Sequence, residues 1–116
     1  MISALMNGKS LMVLQGEIKT PPMSVAARRE TGFLLHRLQQ GENLSLPRSR
    51  PMPDIGPRCH ELRVNDVNKT WRVIYRIDDD AIVVVEVFEK KTRATPRQVI
   101  ANCKRRLRLY EEAIGE

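Results

Sequence analysis

Hydrophobic positions recur with two different periods along this chain. Between residues 24 and 40, Ala27, Thr31, Leu34, Leu35 and Leu38 return at three- and four-residue intervals, the spacing of one buried face of an α-helix. Ser24 supplies an N-cap and Gly41 a C-terminal stop. From Cys59 the period falls to two. His60, Leu62 and Val64 alternate with Cys59, Glu61 and Arg63; after a turn at Asn65 to Lys69, Trp71, Val73, Tyr75 and Ile77 alternate with Arg72, Ile74 and Arg76. Three aspartates, Asp78 to Asp80, turn the chain into a nearly continuous apolar run over 81–88, which suits a central strand buried on both faces. The short connections predict an antiparallel meander of strands 59–64, 70–77 and 81–88. A last helix is predicted over 96–113, with Thr95 as its cap and Pro96 in its first position. Val99, Ile100, Cys103, Leu107, Tyr110 and Ile114 form its apolar stripe.

Upstream, the apolar run that begins at Leu11 suits a first strand within 11–18, and Pro21-Pro22 ends regular pairing because proline lacks an N–H. Residues 1–10 read as a loose lead-in to a single domain over 11–116. Residues 41–58 hold four of the seven prolines and read as an ordered but irregular loop carrying Arg48, Arg50 and Arg58. The order β-α-β-β-β-α makes an α+β domain, with two helices against an antiparallel sheet of about four strands.

At 116 residues there is room for one core only. No apolar run approaches the ~20 residues that span a bilayer, and the N-terminus lacks the pattern of a secretory signal, so no membrane and a cytoplasmic location are expected. Two cysteines, Cys59 and Cys103, are too few for a disulfide framework and read as small buried apolar residues.

Charge sharpens the picture. The net charge is +6, yet residues 90–110 alone carry eight Lys and Arg and no acid, leaving the rest of the chain at −2. A local cationic surface favours a polyanion, with nucleic acid ahead of an acidic protein. The strand alternation places Glu61, Arg63, Arg72 and Arg76 on the sheet face opposite Trp71, Val73 and Tyr75, with Lys90 and Lys91 at the end of the next strand. Such a cluster can hold a phosphodiester and stabilise charge developing on its oxygens. Further phosphate contacts are available from Arg48 and Arg50 in the loop, from Arg76, Lys90, Arg93 and Arg97, and from Lys104, Arg105, Arg106 and Arg108 on the last helix. Phe88, at the strand end, is the candidate for base stacking. His36 and His60 have unrelated spacing and read as structural; no metal site and no cofactor are expected.

Five segments in register complete the reading: Gly41-Glu42 with Leu46-Pro47, Arg50-Pro51-Met52-Pro53, His60-Glu61-Leu62-Arg63, Trp71 to Arg76, and Phe88 to Pro96. Together they resemble the phage-derived, HigB-like branch of the RelE/ParE toxin superfamily. The resemblance implies the toxin of a type II toxin–antitoxin pair: an endoribonuclease that cuts mRNA, often on the ribosome, without metal, by way of the ribose 2′-hydroxyl. Its partners would be mRNA, the ribosome and a cognate antitoxin of helix-turn-helix type. By the same resemblance Arg72 contacts the scissile phosphate, Lys91 occupies the basic position after the last core strand, and Arg63 completes the Glu-Leu-Arg motif. The chain has Cys59 and Glu61 where RelE-like nucleases place lysines, and no tyrosine near Arg97. The base is then Glu61 or a lysine of lowered pKa, with Arg63, Arg72 and Lys91 as the electrostatic clamp. Two other readings remain open: a non-enzymatic ParE-type inhibitor of DNA gyrase, and a basic RNA- or ribosome-binding module.

Overall fold

In the computed structural model, which describes residues 8–14 and 22–115, the alternation along Thr70–Ile77 becomes two separate cores. This strand, β4, follows β1 (Ser10–Val13), β2 (Ser49–Pro51) and β3 (Cys59–Asn65), and precedes β5 (Ala81–Glu89). Helix α1 (Val25–Gln39) lies between β1 and β2, and α2 (Arg97–Ala113) follows β5. The expected continuation of the first strand to Ile18, Pro21, and the lead-in before Gly8 lie outside the described residues.

One face of β4 buries Trp71, Val73 and Tyr75 with Leu62, Val64, Ile82 and Val84 beneath Ala27, Leu34 and Leu38 of α1. Trp71 Nε1 donates to Asp66, and the Tyr75 hydroxyl bonds to Ser49 at 2.6 Å, so both polar ends are satisfied. His60 stacks on Tyr75 with ring centroids 5.4 Å apart. On the other face Ile74 joins Cys59, Val83 and Val85 beneath Cys103 and Leu107 of α2. Burial pushes the Cys59 thiol up to about 11 and the Cys103 thiol up to about 12, which keeps both protonated and unreactive.

Two features depart from expectation. The sheet has five strands in the order β1-β5-β4-β3-β2, and β1 pairs with β5 in parallel. Its direction is set by the crossover through α1, which carries the chain from one edge of the sheet to the other, and not by a hairpin. The extra strand, β2, lies inside the proline-rich segment and pairs antiparallel with β3, Arg50 opposite Glu61. An edge strand tolerates Pro51 because it needs donors on one side only. The Lys9 N–H donates to the Gln39 carbonyl at the end of α1, the Gln39 side-chain amide donates to the Lys9 carbonyl, and the Lys9 ammonium donates to the carbonyl of Asp78.

Ser24 caps α1 as its position suggests, its hydroxyl accepting from the Ala27 N–H at 3.0 Å. The same residue's backbone N–H donates to Asp66 in the β3–β4 turn at 2.9 Å. Asp66 also accepts from the Val67 N–H and from Trp71. These donors, the Ser24 N–H first, hold its carboxyl well below the ordinary carboxylate value of 3.8. A depressed folded pKa contributes stability above the unfolded value that is lost as pH falls through the folded one. Asp66→Asn is therefore expected to unfold at lower urea than the parent at pH 7. The gap between their midpoints should narrow as the pH drops below about 4. A constant gap from pH 7 to pH 2 would contradict this.

Candidate phosphate-binding site

Helix α2 covers only part of the second sheet face. Past its edge the pairing of β3, β4 and β5 leaves a row in which Arg63 stands opposite Arg72 and Arg72 opposite Phe88. Glu61, two residues back on β3, shares this face, and its side chain has no exposure at all. Three cations converge on its Oε1: Arg50 Nε at 3.1 Å, Arg72 Nε at 3.2 Å and Lys90 Nζ at 3.8 Å. The other oxygen, Oε2, accepts a 3.0 Å hydrogen bond from the Thr95 hydroxyl. One carboxylate thereby joins β2, β3, β4, the segment after β5 and the approach to α2.

The cations outnumber their counter-charge. With Arg63 beside Arg72, four positive groups share one buried carboxylate. The Arg72 side chain is 11% exposed and that of Lys90 8%. Burial lowers the pKa of both. Glu61 opposes the shift, and the charges of neighbouring arginines add to it, Arg63 and Arg50 for Arg72, and Arg72, Arg50 and Arg63 for Lys90. For lysine this matters chemically, because a depressed ammonium can give up its proton and later take one. The Arg63 Nε–H is buried without a hydrogen-bond partner, and the Arg72 Nε, buried beside it, has only the Glu61 carboxylate at 3.2 Å. Unsatisfied buried donors are costly and recur where a ligand completes them.

The four cations open on three different hollows. Arg72 and Arg63 line one of about 380 Å³ together with Arg48, Asn65 and Thr70, and Glu30 pairs with Arg48 at its rim. Arg50 and Thr95 line a second of about 250 Å³ with Arg93. Lys90 and Lys91 line a third of about 540 Å³ beside the β3–β4 turn. A phosphate in the first hollow meets the guanidinium groups of Arg63 and Arg72, and Lys90, held by the same carboxylate as Arg72, lines the third.

The other residues singled out from sequence fall into three groups. Arg50 and Lys90, expected as RNA contacts, sit inside the cluster. Lys91, expected in the clamp, is exposed and makes no ion pair with Glu61, while its neighbour Lys90 does. Alternation carried two residues past Phe88, which lies opposite Arg72, keeps Lys90 on the arginine side and turns Lys91 out to solvent. Glu61, expected as a base, has both oxygens occupied and cannot reach a substrate. Arg76 is buried between Asp78 and Glu111, bonded to them at 2.8 and 2.6 Å, and offers no phosphate contact because α2 covers its end of the face. Arg106 bonds to Glu86 and to the Val85 carbonyl, which leaves it half-buried. Arg93, Arg97, Lys104, Arg105 and Arg108 are exposed, and Lys104 and Arg108 border a separate hollow of about 200 Å³ near Arg58. Phe88 is half-buried against the α2 cluster. Thr95 went unrecognised as a site residue because it reads as a helix cap. Pro96 instead occupies the cap position of α2, with no side-chain hydrogen bond, and the threonine is free for Glu61.

Residues 21–108 match the family described as phage-derived protein Gp49-like (DUF891). This chain belongs to that family. The Gp49-like proteins are a RelE-like toxin family, and membership implies an antitoxin as partner. No curated protein matches the chain. Among the described residues of this Gp49-like chain, no helix is long and apolar enough to cross a membrane, and no three His, Cys, Asp or Glu side chains are grouped to hold a metal ion.

Proposed function

We propose that this Gp49-like chain is the toxin of a type II toxin–antitoxin pair and an endoribonuclease that cuts mRNA, with the ribosome presenting the strand. The observation that carries the reading is that Arg63 and Arg72 line one hollow together while Glu61 holds both Arg72 and the buried Lys90. RNA needs little more for cleavage. The ribose 2′-oxygen attacks the adjacent phosphorus as its proton passes to the Lys90 amine, whose burial eases the loss of its own proton beforehand. Arg72 and Arg63 stabilise the extra negative charge on the phosphorane oxygens, and the P–O5′ bond breaks as the leaving 5′-oxygen takes a proton from water. The products are a 2′,3′-cyclic phosphate and a 5′-hydroxyl end. Preorganised donors aimed at developing charge are the largest single contribution in such reactions. Exposed cations on α2, Arg97, Lys104, Arg105 and Arg108, suit the phosphates of ribosomal RNA, which position without reading sequence.

Primer extension on an mRNA, with and without translating ribosomes, tests the reading. Discrete stops bearing 5′-hydroxyl ends are expected once the purified chain is added, and they should be strongest on translated message. Intact mRNA under both conditions, with inhibition of gyrase supercoiling instead, would refute it in favour of a ParE-type inhibitor.

A further inference from the structure

We propose that Glu61 is a positioning residue: the shared buried counter-charge that fixes Arg50, Arg72 and Lys90 about one point, each at the wall of its own hollow, and sets the field at the Lys90 ammonium. The inference rests on the nuclease reading above for its purpose, though not for its measurement. Glu61 has no exposure, so it cannot touch RNA. Its Oε1 is nevertheless the point on which three cations from three different segments converge, at 3.1, 3.2 and 3.8 Å. The remaining oxygen is fastened by Thr95, whose hydroxyl serves this bond while α2 starts without a side-chain cap. A single negative charge among several positive ones neither neutralises them nor leaves them free; it fixes where they stand before an anion arrives.

Lys90 is the member most sensitive to this arrangement. It faces Glu61 and Arg63 from β3, Arg72 from β4 and Arg50 from β2, and on its outer side the hollow it lines carries Asp66, Lys69, Glu89 and Lys91. Glu61 is the negative group nearest its ammonium. With that charge removed, the ammonium faces three arginines in a buried setting and must release its proton at lower pH. With Arg50 removed instead, one repelling charge is gone and the proton must be held to higher pH. The two substitutions thus carry opposite signs, which a loss of packing alone cannot mimic.

The test follows the titration of the Lys90 side chain by NMR in the full chain, its resonance assigned by its loss in Lys90→Arg. Glu61→Gln keeps the shape and the acceptor for Thr95, and should lower the midpoint by about one pH unit, a tenfold change in proton affinity. Arg50→Met, on the partly exposed edge strand, should raise it. Cleavage of RNA by Glu61→Gln should fall in kcat more than KM rises, with the acid limb of its pH profile moved the same way as the midpoint. Unchanged midpoints in Arg50→Met, or in both variants, would overturn the proposal even if Glu61→Gln does not fold. Midpoints that move as expected in a chain that cuts no RNA would leave the positioning role standing and refute the nuclease reading.

Discussion

Arg72→Ala is expected to slow mRNA cleavage on the order of 10²–10³-fold in single-turnover measurements, the usual cost of losing one preorganised donor to a charged transition state. The residue is not a free surface arginine. Its side chain is 11% exposed and its Nε lies 3.2 Å from Glu61, so its removal also disturbs a buried ion cluster. Removing one partner of a buried pair commonly costs about 3–5 kcal/mol because the other charge is stranded. Here Glu61 keeps Arg50, Lys90 and Thr95, so a smaller loss is expected and the variant should remain folded. Thermal unfolding measured beside the cleavage rate separates the two effects. Arg72→Lys should recover only part of the rate, since an ammonium lacks the planar fork that grips two phosphate oxygens. A folded Arg72→Ala that cleaves at the parent rate would remove this site from consideration.

Lys90 carries the second large effect. Lys90→Met fills similar space without the amine and should cost about 10²–10⁴-fold in cleavage, the range of a positioned acid or base. Lys90→Arg distinguishes proton transfer from charge. The guanidinium keeps the positive charge but does not deprotonate in proteins, so it should be nearly as inactive as Lys90→Met and should not be restored by raising the pH. Retained activity in Lys90→Arg would assign Lys90 to the phosphate clamp alone. Lys91→Met removes an exposed cation with no contact to Glu61, and its effect should be far smaller and sensitive to salt.

Much of this molecule was legible along the chain. The period of three to four set α1 and its buried Ala27, Leu34 and Leu38, and the period of two set β3, β4 and the division between Trp71 and Arg72. Those are local properties: side-chain direction follows from backbone geometry within a few residues. That Arg63 and Arg72 share a face followed as well, because alternation puts both opposite Trp71; their direct pairing is read from the structure. What tertiary structure alone decided was the environment of the second face. Whether that face met solvent or a helix depended on where α2 came to rest, and α2 turned Arg76 into a buried partner of Asp78 and Glu111 while leaving Arg72 at its margin. Only the pairing of Ser49–Pro51 with β3 brought Arg50 to Glu61, from a segment whose prolines suggest no strand. Only the path from Lys90 to Pro96 set Lys90 and Thr95, and not Lys91, against the same carboxylate. Periodicity reports which way a side chain points. The partners that Glu61 meets there come from residues 11 to 34 positions away in the chain, and long-range packing alone selects them.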